Sequence, residues 1–300
     1  MNAIEIRNLN KNFGTKQAVA GLNLTVPKGA IYGFIGENGS GKSTTEKMIC
    51  GLLLPNSGSI KLLGKDYTDI DVRSKIGVLI ESPGCYPNMT VWNNLLLQAT
   101  NLRIPNPQDD IRRVLKLVRM EGSASNKFKN CSLGMKQRIG IAMALMGNPE
   151  ILVLDEPING LDADGMRIMR EVLVDLSKSG VTILISSHIL SELEKIATHY
   201  GIIRGGKMIV EMTAEELDRD CPIYISLKTK DINNTKKFLM EKYDNIKEVN
   251  DEIRIYGEIS PEDVVKFLYK KDIIVSEIST NKISLEEYYI GLMKNKEVKS

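Results

Sequence analysis

The chain has 300 residues, 42% hydrophobic and 26% charged, with 40 basic against 38 acidic side chains. This is the make-up of a globular protein of one large domain, or one with a small companion, and a net charge of +2 is too balanced to argue for a nucleic-acid binder. Cys50, Cys85, Cys131 and Cys221 form no CxxC pair and have only two histidines beside them, so reduced thiols are expected rather than a zinc cluster or disulfides. The N-terminus, MNAIEIRNLNKNF, lacks the apolar stretch of a signal peptide. No run approaches the roughly 18 apolar residues that suggest a membrane span. Service to a membrane would therefore go through a partner.

Residues 3–9 alternate as a strand does, and 22–26 repeat the pattern. A compact apolar strand at 30–35 runs into a glycine-rich loop and a helical stretch at 43–51. Strand-like runs recur at 76–80, 151–154 and 181–185, with helical stretches near 108–120, 135–147 and 162–179. Alternating strands and helices predict an α/β fold with a parallel sheet covered on both faces. GIIRGGKMIV predicts a hairpin around Gly205 and Gly206. From about residue 212 the pattern changes. A short helix and linker lead to a strand at 223–229, a helix at 231–243, and strands near 246–249 and 252–257. A helix at 261–271 and a strand at 273–279 follow. The order βαββαβ predicts a small α+β domain of ferredoxin-like type over 216–300, closed by a helix in SLEEYYIGLMK.

GENGSGKST, Gly36 to Thr44, matches the phosphate-loop pattern G-x-x-x-x-G-K-[ST]. Gly36, Gly39 and Gly41 let the backbone curl until its N–H groups face phosphate oxygens. The helix that follows offers its N-terminal dipole to the same charge. Lys42 can reach the β- and γ-phosphates, and the Ser43 hydroxyl can hold Mg²⁺. ILVLDEP, Ile151 to Pro157, reads as a buried strand releasing two acids at its carboxyl end, where such sheets place their sites. Asp155 fits the acid that supports Mg²⁺, and Glu156 a general base for the attacking water.

Between these segments lies CSLGMKQR, Cys131 to Arg138; read alone, SLGMK is an ordinary helix cap. In this order the motifs resemble those of the ATP-binding subunits of ABC transporters, whose signature is LSGGQ before a basic helix. Ser132 and Gly134 keep the signature, while Leu133 stands where its first glycine usually does. The resemblance implies a P-loop NTPase cassette over 1–215: a parallel-sheet core, an antiparallel β subdomain, and a helical subdomain at about 82–150. It implies ATP and Mg²⁺ as ligands, a second copy of the chain as partner in an ATP sandwich, separate transmembrane permease subunits, and no nucleic acid. Asn38 and Thr44 join the phosphate-loop residues. Ser132 and Gly134 would serve the neighbouring copy's nucleotide. NGLD, ending at Asp162, resembles the D-loop that crosses the dimer interface, and His188 of SSH the switch histidine at the γ-phosphate. A lone histidine after a strand is more often structural, and His199 is assigned no role. Phe13 stands where the family stacks an aromatic on adenine; read alone, it is a core residue.

One departure narrows the resemblance. Glu81 occupies the position of the family's glutamine, at Mg²⁺ and the attacking water. A glutamate there could still ligate Mg²⁺ but adds negative charge beside the γ-phosphate. Glu81 together with SLGMKQ resembles the bacitracin-resistance and lantibiotic-immunity branch, which expels peptide antibiotics. Tyr86, Met89 and Trp92 fall in the region that faces the membrane subunit in this family; Trp92 could equally pack inward. The rival readings are a soluble ABC-type ATPase without a membrane partner and an ATP-dependent regulatory binding module.

Overall fold

In the computed structural model, which describes residues 1–295, β1 (Asn2–Phe13) and β2 (Lys16–Pro27) form a long antiparallel hairpin. Inward-facing residues alternate along each strand, Ile4, Ile6 and, past an irregularity in the pairing, Leu9 from one and Leu22, Leu24 and Val26 from the other. β3 (Ile31–Ile35) is buried throughout, as a central strand covered on both faces must be. It feeds the glycine loop and α1 (Lys42–Ile49). β4 (Ser57–Leu62) and β5 (Lys65–Asp66) complete an antiparallel sheet of order β2-β1-β4-β5. The one-turn α2 (Ile70–Arg73) precedes β6 (Ile76–Leu79).

Three helices follow: α3 (Val91–Asn101), α4 (Pro107–Leu117) and α5 (Leu133–Ala144). The Thr90 side chain caps α3 by accepting from the Asn93 amide, and Pro107 opens α4, where its missing N–H costs nothing. α5 starts two residues before the helix expected at 135–147. The Ser132 hydroxyl accepts from the Met135 amide at 3.2 Å and fixes the earlier start. Then come β7 (Ile151–Asp155), α6 (Ala163–Lys178), β8 (Thr182–Ser186), α7 (Leu190–Leu193), β9 (His199–Arg204) and β10 (Lys207–Thr213). The core sheet has the order β10-β9-β3-β8-β7-β6. It is parallel from β9 to β6, and β10 returns antiparallel through the turn at Gly205 and Gly206.

Met1–Ala214 form one compact unit, and a second begins at Glu215. α8 (Ala214–Asp220) leads into β11 (Ile223–Thr229), α9 (Ile232–Leu239), β12 (Ile246–Val249), β13 (Glu252–Tyr256), α10 (Pro261–Tyr269), β14 (Val275–Lys282) and α11 (Leu285–Asn295). Its four strands pair antiparallel in the order β12-β13-β11-β14. β14 lies later than the strand expected at 273–279, because its register against β11 runs from Val275 to Lys282. The core of this unit holds Ile225, Leu227, Leu239, Ile253, Ile255, Val264 and Leu268.

Candidate functional site

The loop after β3 closes a cavity of about 340 Å³ lined by Phe13, Lys16, Ala18, Asn38, Gly39, Gly41, Lys42, Ser43, Thr44, Asp155 and Glu156. Gly41 has φ +109°, and a Cβ there would stand 2.5 Å from the Ala18 carbonyl oxygen, so only glycine fits. No side chain caps α1 and no acid lies in its first turn. Its leading N–H groups are therefore left for an anion. The Lys42 ammonium donates to the Gly36 and Glu37 carbonyls at 2.5 and 3.2 Å, folded back along the loop. Uncapped donors, one lysine and a glycine-only cradle fit the phosphates of a nucleotide.

Asp155 and Glu156 reach this cavity because β7 ends there. The Ser43 hydroxyl lies 3.5 Å from Asp155 Oδ2, so two of the three expected Mg²⁺ ligands are neighbours. The Ser186 hydroxyl donates to Asp155 Oδ1 at 2.7 Å. Parallel pairing of β7 with β8 sets Asp155 opposite Ser186. The same register carries His188 to Glu156. His188 Nδ1 lies 2.8 Å from Glu156 Oε2, and the His188 amide donates to that oxygen at 3.2 Å. Glu156 takes the left-handed conformation, φ +51°, that turns its carboxylate off the strand.

Phe13 is half exposed at the cavity wall, with the Lys11 ammonium 5.3 Å from its ring centre. Gly36 flanks the cavity wall through its neighbours: a Cβ there would meet Ser40 Oγ and the Ile203 carbonyl oxygen at 2.5 Å. Glu81 does not line the cavity. It is exposed, has φ +67°, and pairs with Lys47 at 2.9 Å. The Lys47 ammonium holds its carboxyl below the usual range.

Ser132, Gly134 and Asp162 line a different cavity, of about 380 Å³, with Leu133, Met135, Arg138, Gly160 and Leu161. Ser132 caps α5, and Asp162 caps α6 by accepting from the Gly165 amide at 2.8 Å. A Cβ on Gly160 would stand 2.8 Å from the Leu133 side chain. The residue that replaces the signature's first glycine thus packs on the turn before Asp162. Tyr86 is exposed, whereas Met89 and Trp92 are half-buried, with the Arg112 guanidinium 5.9 Å from the Trp92 ring. Residues given no role from sequence also belong here: Lys16 and Ala18 in the cavity wall, and Ser186 behind Asp155. Ser186 opens the SSH motif at the last residue of β8, and that strand-end position was the signal for it.

A family model described as "ABC transporter" matches residues 19–159. The bacitracin transport ATP-binding protein BcrA of Bacillus licheniformis is 38% identical over 298 residues, 97% of each chain. The chain belongs to the ABC transporter ATP-binding proteins. It is similar also to the lantibiotic transport ATP-binding protein SrtF of Streptococcus pyogenes, 41% identical over 69% of this chain and 90% of that one. Among solved structures it resembles cbiO1 of Clostridium perfringens, part of an ABC transporter complex, with TM-score 0.66 and 27% identity over 72% of this chain and 90% of that one. As an ABC ATPase this chain binds and hydrolyses ATP. Subunits of this kind work with transmembrane partners, and among the described residues no helix is long and apolar enough to cross a membrane itself.

Proposed function

We propose that this ATPase drives the export of a peptide antibiotic through separate transmembrane permease subunits, acting as a pair of copies on the cytoplasmic face of the membrane. The observation that carries this reading is the gathering of Lys42, Asp155 and Glu156 around one cavity, in a chain similar along 97% of its length to a bacitracin transport ATP-binding protein.

The roles divide as follows. The phosphate loop, Gly36 to Thr44, binds the triphosphate through its N–H groups and Lys42. Phe13 offers a flat face to adenine. Ser43 and Asp155 would hold Mg²⁺, which when bound neutralises charge building on the phosphate oxygens. Glu156 takes the proton of the attacking water, and His188 orients Glu156 through the contact at 2.8 Å. Ser132 and Gly134, with the Asp162 turn, line a cavity apart from the phosphate loop of their own chain. That separation supports their serving the nucleotide of a second copy. ATP bound between two copies favours the closed pair, and its hydrolysis removes that preference. The exposed Glu81 stays with Lys47 until the site closes. Residues 1–215 form the ATPase domain, and 216–300 a separate α+β domain with the ferredoxin-like order of elements.

The test is ATP turnover of the purified protein with and without membranes carrying its permease subunits, with Lys42→Ala as control. Turnover that depends on Lys42, changes with the permease and responds to bacitracin- or lantibiotic-like peptides supports the reading. Turnover indifferent to every membrane partner would favour a soluble ABC-type ATPase.

A further inference from the structure

Two leucines and two glycines join the turn before α5 to the turn before α6 in a crossed arrangement. Leu133 stands at the first position of α5, where the family signature has glycine, and is 50% exposed. Its side chain lies over Gly160. A Cβ on Gly160 would meet Leu133 Cδ2 at 2.8 Å, and the backbone there has φ +71°, so only glycine fits beneath the leucine. Leu161 returns the contact: its Cδ2 lies over Gly134, where a Cβ would stand 3.6 Å away. Leu161 also packs on Gly165, in the first turn of α6.

The capping hydrogen bonds of Ser132 and Asp162 stay within their own turns, to the Met135 amide at 3.2 Å and the Gly165 amide at 2.8 Å. The clasp between the turns is therefore apolar packing, each leucine covering the other turn's glycine. The first N–H groups of a helix, here those of Leu133 and Gly134, have no partner within the helix. Their aim at a phosphate is fixed by whatever fixes this turn.

We propose that Leu133 and Leu161 are positioning residues for the nucleotide of a second copy: their crossed packing makes the signature turn and the Asp162 turn one rigid piece, which meets that nucleotide as a unit. The inference rests on the reading of Ser132 and Gly134 as serving the partner copy's ATP. Misplacing groups around a reacting centre by about 1 Å costs up to about 100-fold in rate.

The experiment measures kcat and the KM for ATP of the full chain, with thermal unfolding of each variant. Leu133→Ala and Leu161→Ala should each lower kcat by about 10–100-fold. The change in KM should be smaller, since the phosphate loop of the same chain is untouched. Both side chains are partly exposed, so the unfolding midpoint should fall only slightly. Leu133→Met, which keeps volume and apolar contact, should retain most of the turnover. The double alanine variant should add little to either single one. Mixed pairs, isolated through two different tags, separate this role from a defect in the variant's own site. When Leu133→Ala pairs with Lys42→Ala, the one intact phosphate loop meets the unaltered signature turn of the other copy. Turnover should equal that of wild type paired with Lys42→Ala. When wild type pairs with a chain carrying both Lys42→Ala and Leu133→Ala, the intact loop meets the altered turn, and turnover should drop as in Leu133→Ala itself. Wild-type kcat in either alanine variant, a Met variant as impaired as Ala, or mixed pairs that are equal or reversed in order overturns the proposal. Should Leu133→Ala fail to fold, Leu161→Ala takes its place in every arm. Glu156→Gln runs alongside, sized in ATP. If that variant stays single in ATP, the pairing of copies falls, and this inference with it.

Discussion

His188 and Glu156 are 32 residues apart in sequence, yet one carboxylate oxygen of Glu156 meets both the backbone amide and Nδ1 of His188, at 3.2 and 2.8 Å. The contact ties the end of β7 to the end of β8 beside the phosphate loop. It leaves the second carboxylate oxygen of Glu156 for a water molecule.

Glu156→Gln keeps an oxygen able to accept from the His188 amide but has no basic carboxylate. Nucleotide binding should persist while kcat falls by about 10²–10⁴-fold, the usual contribution of a general base. The check is steady-state turnover beside equilibrium ATP binding, with size measured in ATP; the bound pair should accumulate. Rapid hydrolysis by this variant would remove Glu156 from the role of base.

Gly41→Ala places a Cβ 2.5 Å from the Ala18 carbonyl oxygen at φ +109°. Strain of this kind costs on the order of 1–3 kcal/mol, and the loop must shift to relieve it. Thermal unfolding should show lower stability, and ATP binding should be lost to a greater degree than stability. A variant that binds ATP normally would show that the loop curls without this glycine.

Asp162→Ala removes the cap of α6, where the carboxylate accepts from the Gly165 amide at 2.8 Å. The loss should be about 1 kcal/mol. In a unit of this size that lowers the unfolding midpoint by roughly 2–4 °C. Asp162→Asn, which can still cap, should recover most of the midpoint. Turnover that stays low in a thermally restored Asp162→Asn would place the charge itself in the reaction.

Glu192 is buried beside Arg170 and Lys195, the latter at 2.6 Å. Burial raises its carboxyl, but the hydrogen bonds from Lys195 and Arg170 outweigh this and hold it below the usual range. A folded-state value below the unfolded one gives stability that is present above the ordinary glutamate range. That stability drains away as pH falls through the lowered value. Glu192→Gln should therefore flatten the acid limb of a plot of unfolding midpoint against pH, while leaving its neutral-to-basic part parallel to wild type. An unchanged acid limb would show that this ion pair contributes nothing to acid lability.

The phosphate loop was legible because its chemistry is local. Three glycines, a lysine and a serine at fixed spacing need only a strand before them and a helix after them. β3 and α1 supply these. The six-element order of the C-terminal segment could be read from alternating apolar residues, although β14 slid to Val275–Lys282 under the register of β11. The burial of Glu46 was not legible. In sequence it is one more charged residue after GKSTT, and only the packing of α1 against β2 and β7 takes it out of water. The separation of Glu81 from the cavity was equally hidden, since it depends on Lys47 lying one turn along α1.

The kind of protein could be read from the chain alone, because the motifs that join phosphate, acid and histidine in one chemistry lie in short segments whose order is fixed along it. Which of those segments meet is set by the fold. Parallel pairing of β7 with β8 brings Glu156 to His188 and Ser186 to Asp155. The same fold sets Ser132, Gly134 and Asp162 around another cavity. Proximity between strands arises from sheet register, which alternation of apolar residues constrains only to one face or the other.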